Sequence, residues 1–393
     1  MPKFTLPNRN APVLLALVSG LLFFIGFEMG GYQLVLRNVS SEFSMTPLGS
    51  GLLVAMQNAG FVLAPLLFGN LSDRIGKKYT MFGFMLTFIV GCALAAAASG
   101  TWVFIAGVFL IGVGYCMCEC IGTAALADAF PEKSAKYINL SQSLLSFGAV
   151  VSPIFIQWCI GTFSWNWRAV FVICGIGYTV LLVPFCFTRF RKAAATAGME
   201  RHIPMYAFFK SALFALLFFL ILLYVGLECG IGYFTESLFA LKLSGDHLGA
   251  YAISTYWLCM ALSRFVCSFS TLSSQKTLLI AFGASFLLFF ILAISGLPYL
   301  SLVLCGLIGF AFGPIWSLLV DLAAKEFPQH TGSAIGLMSA GCGLGGMVFP
   351  SLMGFLSGRL DIRYAFAMLS VAALAACFLA YVVYRKMKRN ARG

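Results

Sequence analysis

The sequence predicts an all-α polytopic membrane protein of 12 transmembrane helices, arranged as two pseudo-symmetric six-helix bundles. Three observations predict it. Of the 393 residues, 61% are hydrophobic and 10% charged, where a soluble chain carries about 25% charged residues. Apolar runs of about 20 residues, long enough to cross a bilayer, recur along the chain and are about twice the length of a membrane-barrel strand. A motif also recurs: Leu22-Phe23-Phe24-Ile25-Gly26-Phe27-Glu28-Met29-Gly30 returns as Leu222-Leu223-Tyr224-Val225-Gly226-Leu227-Glu228-Cys229-Gly230. Both copies hold G-x-E-x-G within a membrane-length run.

Polar breaks divide the chain into spans near 11–36, 48–69, 79–99, 102–129, 137–162, 169–188, 208–239, 248–270, 277–296, 299–323, 332–357 and 364–384. The longest break, Arg189 to Arg201, falls at the midpoint. It divides an N-terminal bundle (1–190) from a C-terminal bundle (208–393) through a cytoplasmic linker (191–207). A second repeat agrees with this division: Gly148-Ala149-Val150-Val151-Ser152-Pro153 in span five matches Gly345-Gly346-Met347-Val348-Phe349-Pro350 in span eleven. With the N-terminus inside, only Arg37, Arg168, Lys242, Arg359 and Arg363 among the basic residues lie outside. Basic residues collect on the cytoplasmic side, so both termini are expected there, in a multi-pass protein of the plasma membrane (the inner membrane in a bacterium).

The net charge of +12 belongs to these cytoplasmic loops. No basic stretch outside the spans is interleaved with aromatics, so no nucleic-acid partner is expected. The 13 cysteines sit almost wholly in apolar spans, where a thiol packs as a small hydrophobe, and no disulfide framework is expected. Cys116, Cys118 and Cys120 are spaced by two, which on a helix turns them to different sides, so no metal site is expected. There is no nucleophile–base pair and no phosphate-cradling loop. The chain reads as no enzyme and needs no cofactor. The first apolar run is too long for the core of a signal peptide.

Between spans two and three stands Gly69-Asn70-Leu71-Ser72-Asp73-Arg74-Ile75-Gly76-Lys77-Lys78. It resembles the loop G-x-L-x-D-R-x-G-x-[KR] of the major facilitator superfamily, which implies the major facilitator fold and a cytoplasmic gate built on Gly69, Asp73, Arg74, Gly76 and Lys78. The glycines permit tight turning. Asp73 is placed to pair with a helix start such as Thr331-Gly332-Ser333, and Lys77 and Lys78 to anchor at an anionic membrane face. Within the superfamily the chain is most similar to the fucose permease-like sugar:cation symporters. Three segments carry that similarity: Gly114 to Ala125 around Glu119, Asn139-Leu140-Ser141-Gln142-Ser143, and Tyr224-Val225-Gly226-Leu227-Glu228. The resemblance implies Glu119 as the titrating acid and Gln142 as a ligand to substrate hydroxyls. Two departures stand out. The acid that this group carries in span one falls near Gln33, with Glu28 a turn earlier. Span eight shows no mid-span arginine, Arg264 lying near its cytoplasmic end.

A carboxylate near the centre of a spanning helix costs roughly 2.5–3.5 kcal/mol on insertion scales, which marks Glu28, Glu119 and Glu228 for proton coupling. At 1.5 Å per residue, Glu28 lies roughly 25 Å up its span. The alternative for each is a neutral acid hydrogen-bonded to a neighbouring helix, a contact worth about 0.6 kcal/mol. Amides and aromatic faces suit sugar hydroxyls and ring C–H surfaces, so Tyr32, Gln33, Gln57, Asn58, Asn139, Gln142, Tyr224, Trp257 and Trp316 are the substrate-binding candidates, with Tyr233 and Tyr256 beside them. Trp102, Trp158, Trp165 and Trp167 fit the interfacial aromatic belt. Glycines in spans ten and eleven, with Pro314, mark close packing or bending.

The expected function is secondary active transport of a small polar solute, a sugar by resemblance, in symport with a proton and by alternating access, with sodium open as the coupling ion. The alternative is a proton antiporter exporting amphipathic compounds, which the Gly148–Pro153 segment favours and the lack of an arginine in span four opposes. A second alternative is a membrane receptor without flux. The expected partners are a small-molecule substrate and the lipid bilayer, the chain acting as a monomer.

Overall fold

The computed structural model describes residues 11–68, 71–130, 134–188, 205–243, 245–268, 273–327 and 331–390. The helices are α1 (Ala11–Glu42), α2 (Pro47–Phe68), α3 (Leu71–Ile75), α4 (Lys77–Ala97), α5 (Thr101–Ala129), α6 (Ser134–Phe163), α7 (Ala169–Phe187), α8 (Met205–Phe208), α9 (Ala212–Lys242), α10 (Gly249–Ser268), α11 (Ser274–Ile294), α12 (Pro298–Phe312), α13 (Ile315–Glu326), α14 (Thr331–Arg359) and α15 (Ile362–Asn390). A 3-10 turn, Asp246–Leu248, leads into α10. Of the linker expected over 191–207, residues through 204 lie outside the described residues and 205–208 form α8.

Among the described residues, eleven segments are long and apolar enough to cross a membrane. The twelfth expected span is α10, whose 20 residues include Ser254, Thr255, Tyr256, Trp257, Ser263 and Arg264 and are correspondingly polar. Span ten is two helices, α12 and α13, broken at Gly313-Pro314, because proline lacks the N–H and crowds the preceding turn. Helix α1 runs six residues past its expected end at Leu36. Polar side chains do not stop a helix whose backbone bonds continue, and the turn comes only after Glu42, at Ser44 (φ 50°). Twelve crossings put residues 11 and 390 on one face, the termini face; the 42–47 turn lies on the opposite, loop face.

The internal repeat is visible in packing. Span one lies on span five, and span seven on span eleven, at backbone contact. A Cβ on Gly148 would stand 2.1 Å from the Phe23 carbonyl oxygen, and one on Gly345 2.1 Å from the Leu222 carbonyl oxygen. Small residues let spanning helices approach in this way, where no hydrophobic driving force separates helix from lipid. Trp102, Trp158 and Trp165 are exposed at their span ends, as expected of a belt. Trp167 is not: it is buried and donates its indole N–H to Glu42. Glu42 also takes both arms of Arg168, at 2.6 and 3.0 Å, so a carboxylate draws this ring inward.

The loop between α2 and α4 is a short helix ended by Gly76 at φ 91°, a conformation that L side chains avoid. Lys77 and Lys78 both have partners within the protein. Lys77 pairs with Asp128 of α5, and Lys78 donates to the Cys186 carbonyl at the end of α7, which ties the loop to its own half. Gly69 and the side chains of Asp73, Arg74 and Thr331–Ser333 lie outside the described residues. On the loop face Arg37 pairs with Glu236 and Lys242 with Asp361. Partial burial works against the ionised Asp361, but the Arg363 backbone N–H, Lys242 and the Arg363 charge outweigh it and hold this carboxyl below the usual carboxylate range.

Two outcomes follow from this packing. Gly148→Val should lower the thermal midpoint by the equivalent of about 1–3 kcal/mol, the cost of overpacking, whereas Gly83→Ala, with nothing within 4 Å, should be neutral or stabilising by up to about 1 kcal/mol. Thermal melts of the purified protein compare them. A lowered folded-state pKa contributes stability above the unfolded value and loses it as pH falls through the folded one. Asp361→Asn should therefore destabilise at pH 7, and the difference from the parent should shrink below about pH 3.9.

Candidate functional site

In α1, Glu28 and Tyr32 are four apart and share a face of the helix, and Gln33 follows on the adjoining face. All three are fully buried. Gln57 of α2 donates its Nε2 to both Glu28 carboxyl oxygens at 3.1 Å. The Gln57 Oε1 accepts from the Tyr233 hydroxyl of α9 at 3.1 Å. One hydrogen-bonded chain, Glu28 to Gln57 to Tyr233, thus joins the two halves. Gln33 makes a second link: its Oε1 accepts from the Trp257 indole N–H of α10 at 2.9 Å. The Tyr32 ring stands edge-on to Tyr233, centroids 5.5 Å apart.

Glu119 of α5 is half-buried and accepts from Gln142 Nε2 of α6 at 3.0 Å. The two meet because α5 and α6 pass each other with these residues at the crossing. One turn beyond Gln142, Ser146 accepts from Arg264 Nη1 of α10 at 3.2 Å, and Arg264 Nε donates to the Gly313 carbonyl at 3.2 Å. That carbonyl is the end of α12, where Pro314 supplies no continuing helix. The guanidinium lies near enough to both Glu119 and Glu228 for its charge to act on them. Arg264 is therefore not one of the basic residues of the termini face, as its place near the span end suggests. Its long side chain turns back into the interface between the halves. The signal for it was an arginine inside a span that is itself unusually polar.

Glu228 is buried on α9, one turn beyond Tyr224. The buried hydroxyls of Tyr32, Tyr224 and Tyr256 have no hydrogen-bond partner among the described residues. A buried unpaired donor costs about 1–3 kcal/mol. The repeat is thus kept in position and not in partners: Glu28 has a glutamine amide, whereas Glu228 stands near the Arg264 charge.

Two candidates stand apart. Asn58 donates to the Val54 carbonyl of its own helix at 3.0 Å and fits against Gly346 of α14, so it packs α2 on α14 while its neighbour Gln57 faces Glu28. Trp316 is 42% exposed on α13. The side chain of Asn139 lies outside the described residues. Among the described residues no group of three or more His, Cys, Asp or Glu side chains could hold a metal ion, and the cysteines are free.

The halves close on each other at the loop face. A Cβ on Gly51 would stand 2.1 Å from the Pro350 carbonyl oxygen, and one on Gly354 2.3 Å from that of Pro47. Toward the termini face the same helix pair opens, and nothing lies within 4 Å of a Cβ on Gly336.

Two helical halves meeting around buried acids define a membrane transporter. The chain belongs to the Major Facilitator Superfamily, which it matches over residues 16–331 and 276–393. Myo-inositol transporter 1 of Candida albicans is 25% identical over 173 residues, 43% of this chain and 31% of that protein. The arabinose-proton symporter of Escherichia coli is 25% identical over 173 residues, 44% and 36% of the two chains. The multidrug resistance protein MdtL of Escherichia coli is 24% identical over 182 residues, 46% of each. These alignments span about a third to under half of each relative's length. Among solved structures, the nucleoside transporter NupG superposes with a TM-score of 0.77 at 15% identity, over 94% of this chain and 100% of that one. The Escherichia coli fucose:proton symporter FucP superposes with 0.67 at 18%, over 95% and 99%. At these identities the likeness is one of fold.

Removing Gln57 should expose its coupling to the other half. Gln57→Leu and Tyr233→Phe should each lower thermal stability. Because they share one hydrogen bond, the double variant should fall short of the summed losses by about 0.5–3 kcal/mol. Strict additivity in thermal melts would show that the chain carries no coupling.

Proposed function

We propose that this transporter carries a small polar solute, a sugar or related polyol, in symport with a proton by alternating access. The observation that carries the reading is the buried Glu28–Gln57–Tyr233 chain across the two halves, with a second acid–amide pair, Glu119–Gln142, nearby. Taking a carboxyl out of water disfavours its ionised form by up to about 3–5 pKa units, which brings a buried acid into a range where a membrane pH difference can load and unload it. Each pH unit across the membrane supplies about 1.4 kcal/mol per proton. Loading Glu28 changes what Gln57 must donate to, and so what Tyr233 in the other half can bond.

The solute site lies between the halves, with Gln142, Gln33, Trp257 and Tyr233 around it. The unpartnered hydroxyls of Tyr32, Tyr224 and Tyr256 suit a ligand that both donates and accepts. Arg264 joins the site as the cation between Glu119 and Glu228. Closure at the loop face and separation at Gly336 support a carrier open toward its termini face, and the bias of basic residues supports that face as the cytoplasmic one. Sequence likeness to a myo-inositol transporter and an arabinose-proton symporter supports the solute class.

The second reading, proton-coupled export of amphipathic compounds, is favoured by the similarity to a multidrug resistance protein and by the aromatic lining. Proteoliposomes separate the two. With acid outside, the parent protein should accumulate L-arabinose or myo-inositol, and Glu119→Gln should lose accumulation while keeping exchange. Unchanged pH-driven uptake by that variant would remove Glu119 from the coupling. Proton release from everted vesicles on adding a lipophilic cation would favour export.

A further inference from the structure

A cavity of about 460 Å³ opens on the loop face where spans one and two of the first half meet spans seven, eleven and twelve of the second. Its size is that of a small-molecule pocket, about 300–1,000 Å³. Its walls mix polar and apolar side chains: Ser40, Ser50, Ser237 and Ser357 line it together with Arg37, Lys242 and Asp361, between apolar residues such as Leu36, Phe234 and Leu360. Tyr233, whose hydroxyl holds Gln57, also borders it. The geometry points to a second, outer binding site here for a neutral polyhydroxylated solute, which the cargo occupies before the central site. It rests on the reading of the chain as a carrier of small polar solutes.

Charge and hydrogen bonding select the ligand class. Arg37 is paired with Glu236 at 3.3 Å and Lys242 with Asp361 at 2.5 Å, so the two cations are matched by two carboxylates. Each charge that lines the cavity thus already has an opposite partner, and the Arg363 charge beside Asp361 lies outside the lining. Three of the serine hydrogens are engaged locally: Ser40 donates to the Leu36 carbonyl at 2.8 Å, Ser50 to Ser40 at 2.7 Å, and Ser357 to the Gly354 carbonyl at 3.2 Å. Their oxygens keep lone pairs for the cavity, since a hydroxyl has one donor and two acceptor sites. The remaining N–H groups of Arg37 and Lys242 supply donors. A ligand whose every hydroxyl can donate and accept matches such a wall. Because Arg37–Glu236 spans the two halves, a polyol that competes for Arg37 also loosens the seal above Tyr233.

The test places a cysteine at Ser237 or Ser357 in the full-length protein in nanodiscs and follows its reaction with a charged methanethiosulfonate. The parent is the background, since none of its own cysteines lines the cavity. Tyr299→Cys, at an exposed loop-face site outside the cavity, is the control. The probes are myo-inositol, L-arabinose and sorbitol, with gluconate and glucosamine as charged counterparts. A neutral polyol at twice its Kd should slow labelling at 237 and 357 by about threefold, as 1 + [L]/Kd, without effect at 299. The charged counterparts should protect less. Protection should persist with Gln142→Ala, which impairs the central site. If protection disappears with that variant, it is transmitted from the central site and the outer site falls. Transport of a polyol without protection overturns the outer site and leaves the carrier reading intact. Protection without transport keeps the outer site and removes the polyol reading of the carrier. Absence of both overturns the two together.

Discussion

A carboxyl group sealed between helices has to be met by donors from whatever surrounds it, and in this chain the surroundings of Glu28 belong to three helices. Gln57 is the only side chain shown bonding it among the described residues, and Gln57 is itself held by Tyr233 from the opposite half. An amide has a fixed order of donor and acceptor, so one end serves the acid and the other the tyrosine. The two halves therefore cannot separate at this point without leaving a buried polar group unpaired, which costs about 1–3 kcal/mol. The packing around it follows. Glycines bring α1 onto α6 and α9 onto α14 at backbone contact.

The second group of polar residues is arranged differently. Arg264 is fixed by the open carbonyl end of α12 and by Ser146 of the first half, and its charge reaches two acids on separate helices. The break at Gly313-Pro314 thus does more than bend span ten: it leaves a carbonyl for the guanidinium. In the mechanism we propose, a change at Glu119 or Glu228 is felt by one cation that touches both halves.

Much of this was legible in the sequence. Hydropathy and polar breaks located the spans to within six residues at either end, because a helix in lipid has to begin and end near the bilayer surface. The G-x-E-x-G repeat marked which helices carry the acids. What the sequence could not resolve was direction around a helix. Gln57 and Asn58 are neighbours with the same chemistry, and only the packing of α2 on α14 shows that one meets Glu28 and the other Gly346. Reach was the other limit. Arg264 and Trp167 lie where span-end residues ordinarily face headgroups or lipid, yet long side chains turned both inward, toward Ser146 and Glu42. Neither partner is close in sequence, so no local pattern records the pairing.

The loop-face closure has a further consequence. At Gly51 against Pro350 and Gly354 against Pro47 the main chains themselves abut, with no side chain interposed. Such a barrier is drawn by peptide geometry, and it owes nothing to the shape or polarity of what is carried. Lineages could exchange the lining residues and acquire new nutrients while keeping the same door shut in the same way. The glycine positions, more than the chamber walls, would then be what descendants of this architecture hold in common.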